Sequence, residues 1–173
     1  MTAPLRDKQL GVARGMGIGL GITLALLILW GWRAFPDDVG DRLRTLGAAA
    51  TMLGLWLAAG IGNVARLRFF SASAIDAGIG DDERDVAIVR ARAVLQNTLE
   101  QALVAMLAYA ALALVEDRSR LLIVGLVTAF SVGRTLFWAG YAGGATSRAL
   151  GFALTFYPSV AGLLVALLSA LRG

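Results

Sequence analysis

Two sets of polar side chains sit inside otherwise apolar sequence, and their types suit the binding of a small, multiply charged molecule. Asn97, Glu100 and Gln101 are expected on one face of a helix, with Arg90 two turns earlier on nearly the same stripe. Arg134 follows thirteen uncharged residues, Tyr141 comes seven positions later, and Arg148 seven later again. Seven residues make about two helical turns, so Arg134, Phe137 and Tyr141 share a face, with Arg148 next if the helix continues or bends. An ionisable group at such depth costs about 2.5 to 3.5 kcal/mol on insertion scales, so it needs a partner or a wet cavity. Glu100 and Arg134 could neutralise each other as a structural pair, which would contribute little net stability because desolvation offsets attraction. Several arginines, a carboxylate, two amides and a phenol exceed what one pair needs. Guanidinium groups bind carboxylates in a bidentate way and Glu100 can take an amine, which fits a peptide with one amine and two carboxylates. Glutathione has those groups, and a thiol.

The elements that must position these side chains are membrane helices. Of 173 residues, 58% are hydrophobic, against roughly 45 to 50% in soluble domains, and the mean hydropathy is +0.72. An apolar stretch of about 18 or more residues is long enough to cross a bilayer as a helix. Five are expected: Leu10 to Trp32, Thr45 to Val64, Ala93 to Val115, Leu121 to Tyr141, and Ala149 to Leu171. The fold class is therefore all-α, a polytopic transmembrane bundle whose backbone polar groups are satisfied within each helix. The first span follows Arg6 and Lys8 but runs uncharged from Gly15 to Trp32 without a convincing small-residue cleavage site, so a retained helix is favoured over a signal peptide. Its glycines pair four apart, Gly15 with Gly19 and Gly17 with Gly21, which suits close helix packing better than a nucleotide loop. The stretch from Arg66 to Arg92 reads as a loop plus the early turns of the third span, with Asp81, Asp82, Glu83 and Asp85 suited to a helix N-terminus.

Charge and composition narrow the function further. With the N-terminus inside, nine Lys and Arg residues of the connections lie on the inner side and six outside, leaving Arg134 aside. The net charge of +4 is scattered between apolar runs rather than gathered into a patch, so nucleic acid is not a partner. The chain has neither Cys nor His, which removes disulfides, thiolate nucleophiles, imidazole bases and the usual metal centres, and no metal site is expected. Any thiol chemistry must use a thiol from the substrate. One Lys against fifteen Arg, with abundant Ala, Gly and Leu, points to a GC-rich bacterial genome and hence an inner membrane.

Two motifs resemble those of a known family. RARAVLQNTLEQ, from Arg90 to Gln101, is similar to a signature in which arginines precede an Asn, two residues and a Glu. FSVGRTLFWAGYAGGATSRALGFALTFYP, from Phe130 to Pro158, resembles one of Arg, six residues, Tyr, six residues, Arg. Both belong to the membrane-associated proteins in eicosanoid and glutathione metabolism, and the resemblance runs from about Thr45 to Gly173. It implies a four-helix unit over residues 41–173, preceded by an added transmembrane helix and loop over residues 1–40. It also implies a homotrimer that holds glutathione, as co-substrate, between subunits near the cytoplasmic face. Asn97 and Glu100 match the family's glutathione contacts, and Gln101 stands where some members have Tyr. Arg134, Tyr141 and Arg148 match the later Arg, Tyr and Arg, Arg148 being the catalytic arginine that stabilises the thiolate. Arg90 stands as a further glutathione contact. There are departures: Ala93 stands where several members have arginine, and Phe137 replaces a Tyr near the thiol.

The resemblance implies a glutathione transferase or peroxidase acting on lipophilic electrophiles. The alternative is a noncatalytic lipid-binding or scaffold protein on the same trimer, toward which Phe137 and Ala93 lean. A transporter would also carry intramembrane charge, but the halves show no inverted repeat and only Pro158 falls within a span.

Overall fold

A computed structural model describes residues 5–72, 74, 75 and 85–172. It contains α1 (Leu5–Arg33), α2 (Val39–Phe69), α3 (Val86–Val115), α4 (Ser119–Gly140) and α5 (Ala145–Ala170), with a single 3-10 turn at Tyr141–Gly143. All five helices are long and apolar enough to span a bilayer. Most outrun the apolar stretches that announce them. Thus α2 has 31 residues, about 46 Å at 1.5 Å per residue against a hydrocarbon core of about 30 Å. A helix needs apolar side chains only within lipid, while its backbone hydrogen bonding continues into the polar layer. Arg66 and Arg68 therefore lie on the end of α2 rather than in a loop, while Arg90 and Arg92 lie in the early turns of α3, as expected.

The caps explain where α2 and α3 start. The Asp38 carboxylate accepts from the Gly40 N–H, and that of Asp85 accepts from the N–H groups of Ala87 and Ile88, satisfying donors that a first turn leaves open. Asp81, Asp82, Glu83 and Arg84, the rest of the expected acidic stretch, lie outside the described residues.

Helix α5 packs against α1, α3 and α4, while α2 packs on α3 and α4 away from α1. The core is built on Ala105, Ala108, Tyr109 and Leu112 of α3, Leu122, Ile123, Leu126 and Phe130 of α4, and Ala166 of α5. Lipid supplies little hydrophobic drive between helices, so close approach of small residues matters instead. A Cβ added at Gly133 would come 2.8 Å from the Gly151 carbonyl oxygen, so α4 and α5 meet through glycine.

The same principle seats α1. Gly11, Gly15 and Gly19 face Thr146, Ala149 and Ala153 in parallel register, and a Cβ on Gly15 would lie 2.9 Å from the Ala149 Cβ. Of the two glycine pairs expected from sequence, only Gly15 with Gly19 makes this contact, joined by Gly11. Gly17 and Gly21 have nothing near them, because a shift of two residues turns a helix by about 200°.

At the end of the bundle where α1 runs into α2 and α3 into α4, the connections are fastened to one another. The Trp30 indole donates to the Arg118 carbonyl at 2.8 Å, the Asp37 N–H donates to the Asp117 carbonyl at 2.8 Å, and the Arg120 N–H donates to the Asp37 carboxylate at 2.9 Å. The buried Arg42 guanidinium donates to the Glu116 carbonyl at 3.2 Å and meets Asp117 at 3.3 Å. Burial alone would raise the pKa of the Glu116 carboxyl. The Ser169 hydroxyl, the Arg118 N–H and the Arg118 guanidinium outweigh that and hold it below the usual carboxylate range.

Candidate functional site

The N-terminal half of α3, the C-terminal end of α4 and the N-terminal end of α5 converge on a cavity of about 430 Å³ lined by Asn97, Phe137, Tyr141, Arg148 and Phe152, with Val12 and Met16 contributed by α1. Arg148 reaches it because α4 does not continue. After Gly140 the chain makes one 3-10 turn and reverses at Gly144, whose φ of 89° favours a residue without a side chain. Helix α5 then starts at Ala145, so Arg148 stands in its first turn and folds back over Tyr141. Its guanidinium carbon lies 4.5 Å from the centre of the Tyr141 ring.

That contact ends a ladder. The Tyr141 ring meets Phe137 edge-on at 5.4 Å between centres, and Phe137 in turn carries the Arg134 guanidinium at 4.5 Å. Two cations are thus joined through two aromatic rings, in the order that the spacing along α4 dictates. Each ring offers a negative face to the cation above it.

Arg134 itself is fully buried. It donates to Asn97 Oδ1 at 2.9 Å, to Thr155 Oγ1 at 2.8 Å and, at 3.5 Å, to Thr98 Oγ1, which also receives the Trp138 indole N–H at 3.4 Å. Its Nε has no partner, and among the described residues no carboxylate lies within ion-pairing distance of it. A pair with Glu100 is not formed. Arg134 therefore sits behind the cavity wall, pinning the side chain of Asn97, which does face the cavity.

The remaining candidates are dispersed. Arg90 lines a second cavity, of about 180 Å³, together with Asn63, Trp138 and the other side of Tyr141. Glu100 is exposed on the outer surface of α3, accepting a hydrogen bond from Gln96 at 3.0 Å. Gln101 points into the bundle, where its Oε1 has no partner. The structure thus brings Asn97, Tyr141 and Arg148 together in one cavity, backs it with Arg134, and places Arg90, Glu100 and Gln101 around it rather than in it.

Some participants were not anticipated from sequence. Thr98 and Thr155 hold the Arg134 fork, and small hydroxyl residues in apolar helices were a signal available for them. Val12, Met16 and Phe152 carried no such signal, being ordinary lipid-compatible residues.

The MAPEG family model matches residues 45–168, well over half of the chain, and the chain belongs to that family. Helix α1 lies outside the matched residues. No curated protein and no solved structure matches the chain.

Proposed function

We propose that this multi-pass membrane protein of the MAPEG family binds glutathione in the cavity lined by Asn97, Tyr141 and Arg148 and joins it, through its sulfur, to lipophilic electrophiles drawn from the bilayer. The observation that carries the reading is the placement of Arg148. Its guanidinium is stacked on Tyr141 at the edge of a cavity whose walls, Asn97 apart, are otherwise apolar. A cation beside a thiol favours the thiolate, and it does so more strongly where water is scarce. The protein has no Cys to act as nucleophile, so the thiolate comes from the bound tripeptide.

With a halogenated arene, the sulfur forms a C–S bond, the C–halogen bond breaks, halide leaves with the electron pair, and the thiol proton passes to water. With a lipid hydroperoxide, the thiolate attacks the terminal oxygen, the O–O bond breaks and the lipid alkoxide leaves and is protonated to the alcohol; a second glutathione then displaces water from the resulting sulfenic acid and completes the disulfide. Asn97 supplies an amide to the peptide, held in place by Arg134. The family resemblance adds Glu100, Gln101 and Arg90 as glutathione contacts. An exposed carboxylate on a membrane helix is costly, and a homotrimer that covers Glu100 with a neighbouring subunit would relieve that cost and bring it toward the peptide amine. An added helix over residues 1–40, a four-helix unit over residues 41–173, and a bacterial inner membrane complete the proposal.

The noncatalytic alternative, a lipid-binding scaffold, is favoured by one observation: Phe137 presents a ring with no hydroxyl beside the cavity. The test that separates them is whether bound glutathione is ionised, read as thiolate absorbance on titration of the protein. A saturable thiolate signal supports the transferase, and its absence supports the scaffold.

A further inference from the structure

Val12 and Met16 lie outside the stretch that the family model matches, yet they line the same cavity as Asn97, Tyr141 and Arg148. Their position is set by packing. The glycine stripe of α1 is pressed on Thr146, Ala149 and Ala153, with no room at Gly15 for even one carbon. Ala149 lines the cavity as well, so the register that locks α1 onto α5 also fixes Val12 and Met16 at the cavity edge. Neither side chain offers a strong donor or acceptor to a tripeptide. An aliphatic residue and an unbranched, polarisable thioether instead suit apolar groups of variable shape. The cavity is accordingly two-sided, with Asn97, Tyr141 and Arg148 as its polar half and Val12, Met16 and Phe152 as its apolar half. Its volume falls in the range of sites for one small ligand, roughly 300 to 1,000 Å³.

We infer that α1 is the acceptor-selecting wall of this site: Val12 and Met16 contact the apolar group that becomes joined to the glutathione sulfur, and the side chain at position 16 sets its preferred length. The inference rests on the glutathione reading above.

The test is calorimetric titration of the full chain in lipid nanodiscs with glutathione and with S-alkyl glutathiones of increasing chain length, for the unaltered protein, Met16→Ala and Met16→Phe. Glutathione itself is expected to bind all three alike, which also shows that the variants are folded. Met16→Ala is expected to bind the longer S-alkyl conjugates about tenfold more weakly, since one methylene in an apolar pocket is worth about ten-fold or more. Met16→Phe is expected to move the optimum to shorter chains. An unchanged dependence on chain length in both variants, with glutathione still bound, overturns the inference and leaves the glutathione reading standing. Failure of the unaltered protein to bind glutathione removes both.

Discussion

Replacing Arg134 by Met separates a ligand-directed role from a bracing one, because the two predict opposite balances of stability and affinity. The substitution removes the two short hydrogen bonds of a charged donor, at 2.9 Å to Asn97 and 2.8 Å to Thr155, along with the long one at 3.5 Å to Thr98. The short ones contribute about 1.5 to 3 kcal/mol each. It also removes a buried cation that has no acid partner among the described residues, and exclusion of that charge from water costs about 2.5 to 3.5 kcal/mol. The net change in stability is therefore a loss of no more than about 3.5 kcal/mol. Affinity should suffer differently. Asn97 loses its orientation and with it its own amide hydrogen bond to the ligand, worth about 0.5 to 1.5 kcal/mol. A bound anion also loses the field of a cation one side chain away, roughly 2 kcal/mol at about 8 Å and an effective permittivity near 20. The sum of about 2.5 to 3.5 kcal/mol corresponds to an about 70- to 370-fold weakening of glutathione binding. Thermal unfolding in detergent and calorimetric titration on the same preparation read the two quantities. A variant that unfolds many degrees earlier, yet when folded binds glutathione as tightly as the unaltered protein, would refute the reasoning and make Arg134 a brace.

Three further outcomes follow from the helix packing and from the network that joins the α1–α2 and α3–α4 connections. Gly15→Val should destabilise by about 1 to 3 kcal/mol through overpacking, because its first added carbon already meets Ala149 and the Leu150 N–H. Gly17→Ala, two positions away in open space, should instead gain about 0.5 to 1 kcal/mol of helix stability, and paired melting curves check both. The Glu116 carboxyl is held below its ordinary value in the folded state, so its contribution is present above the unfolded pKa of about 4.3 and is lost as pH falls through the lowered folded value. Glu116→Gln should flatten that acid limb in melting temperature measured against pH, and an unchanged limb would show that Glu116 is not its source.

The fold was legible because the bilayer allows few solutions: five apolar runs become five helices, and only their ends move. The ladder of Arg134, Phe137, Tyr141 and Arg148 was half legible. Spacing put the first three on one face, but the turn at Gly144 that brings Arg148 back over Tyr141 depends on a chain reversal that spacing alone leaves open. Asn97, Glu100 and Gln101 illustrate what periodicity omits. Glu100 and Gln101 differ by about 100° around a helix, so α3, enclosed by α2, α4 and α5, buries one and exposes the other. Which one was decided by the buried row of Thr98, Gln101, Ala105, Ala108 and Leu112. The part played by α1 was hidden for a related reason. Either of two glycine pairs could have met a neighbour, and only the partner surface on α5 selects the stripe that carries Val12 and Met16 to the cavity.

The proposed role of Arg148, activation of a thiol brought by the ligand, is tested most directly by thiolate absorbance during titration with glutathione. The unaltered protein should give a saturable thiolate signal at neutral pH, and Arg148→Ala should lose that signal while its melting temperature stays the same. A thiolate signal that survives in Arg148→Ala, or glutathione that binds the unaltered protein only as the thiol, would contradict the account.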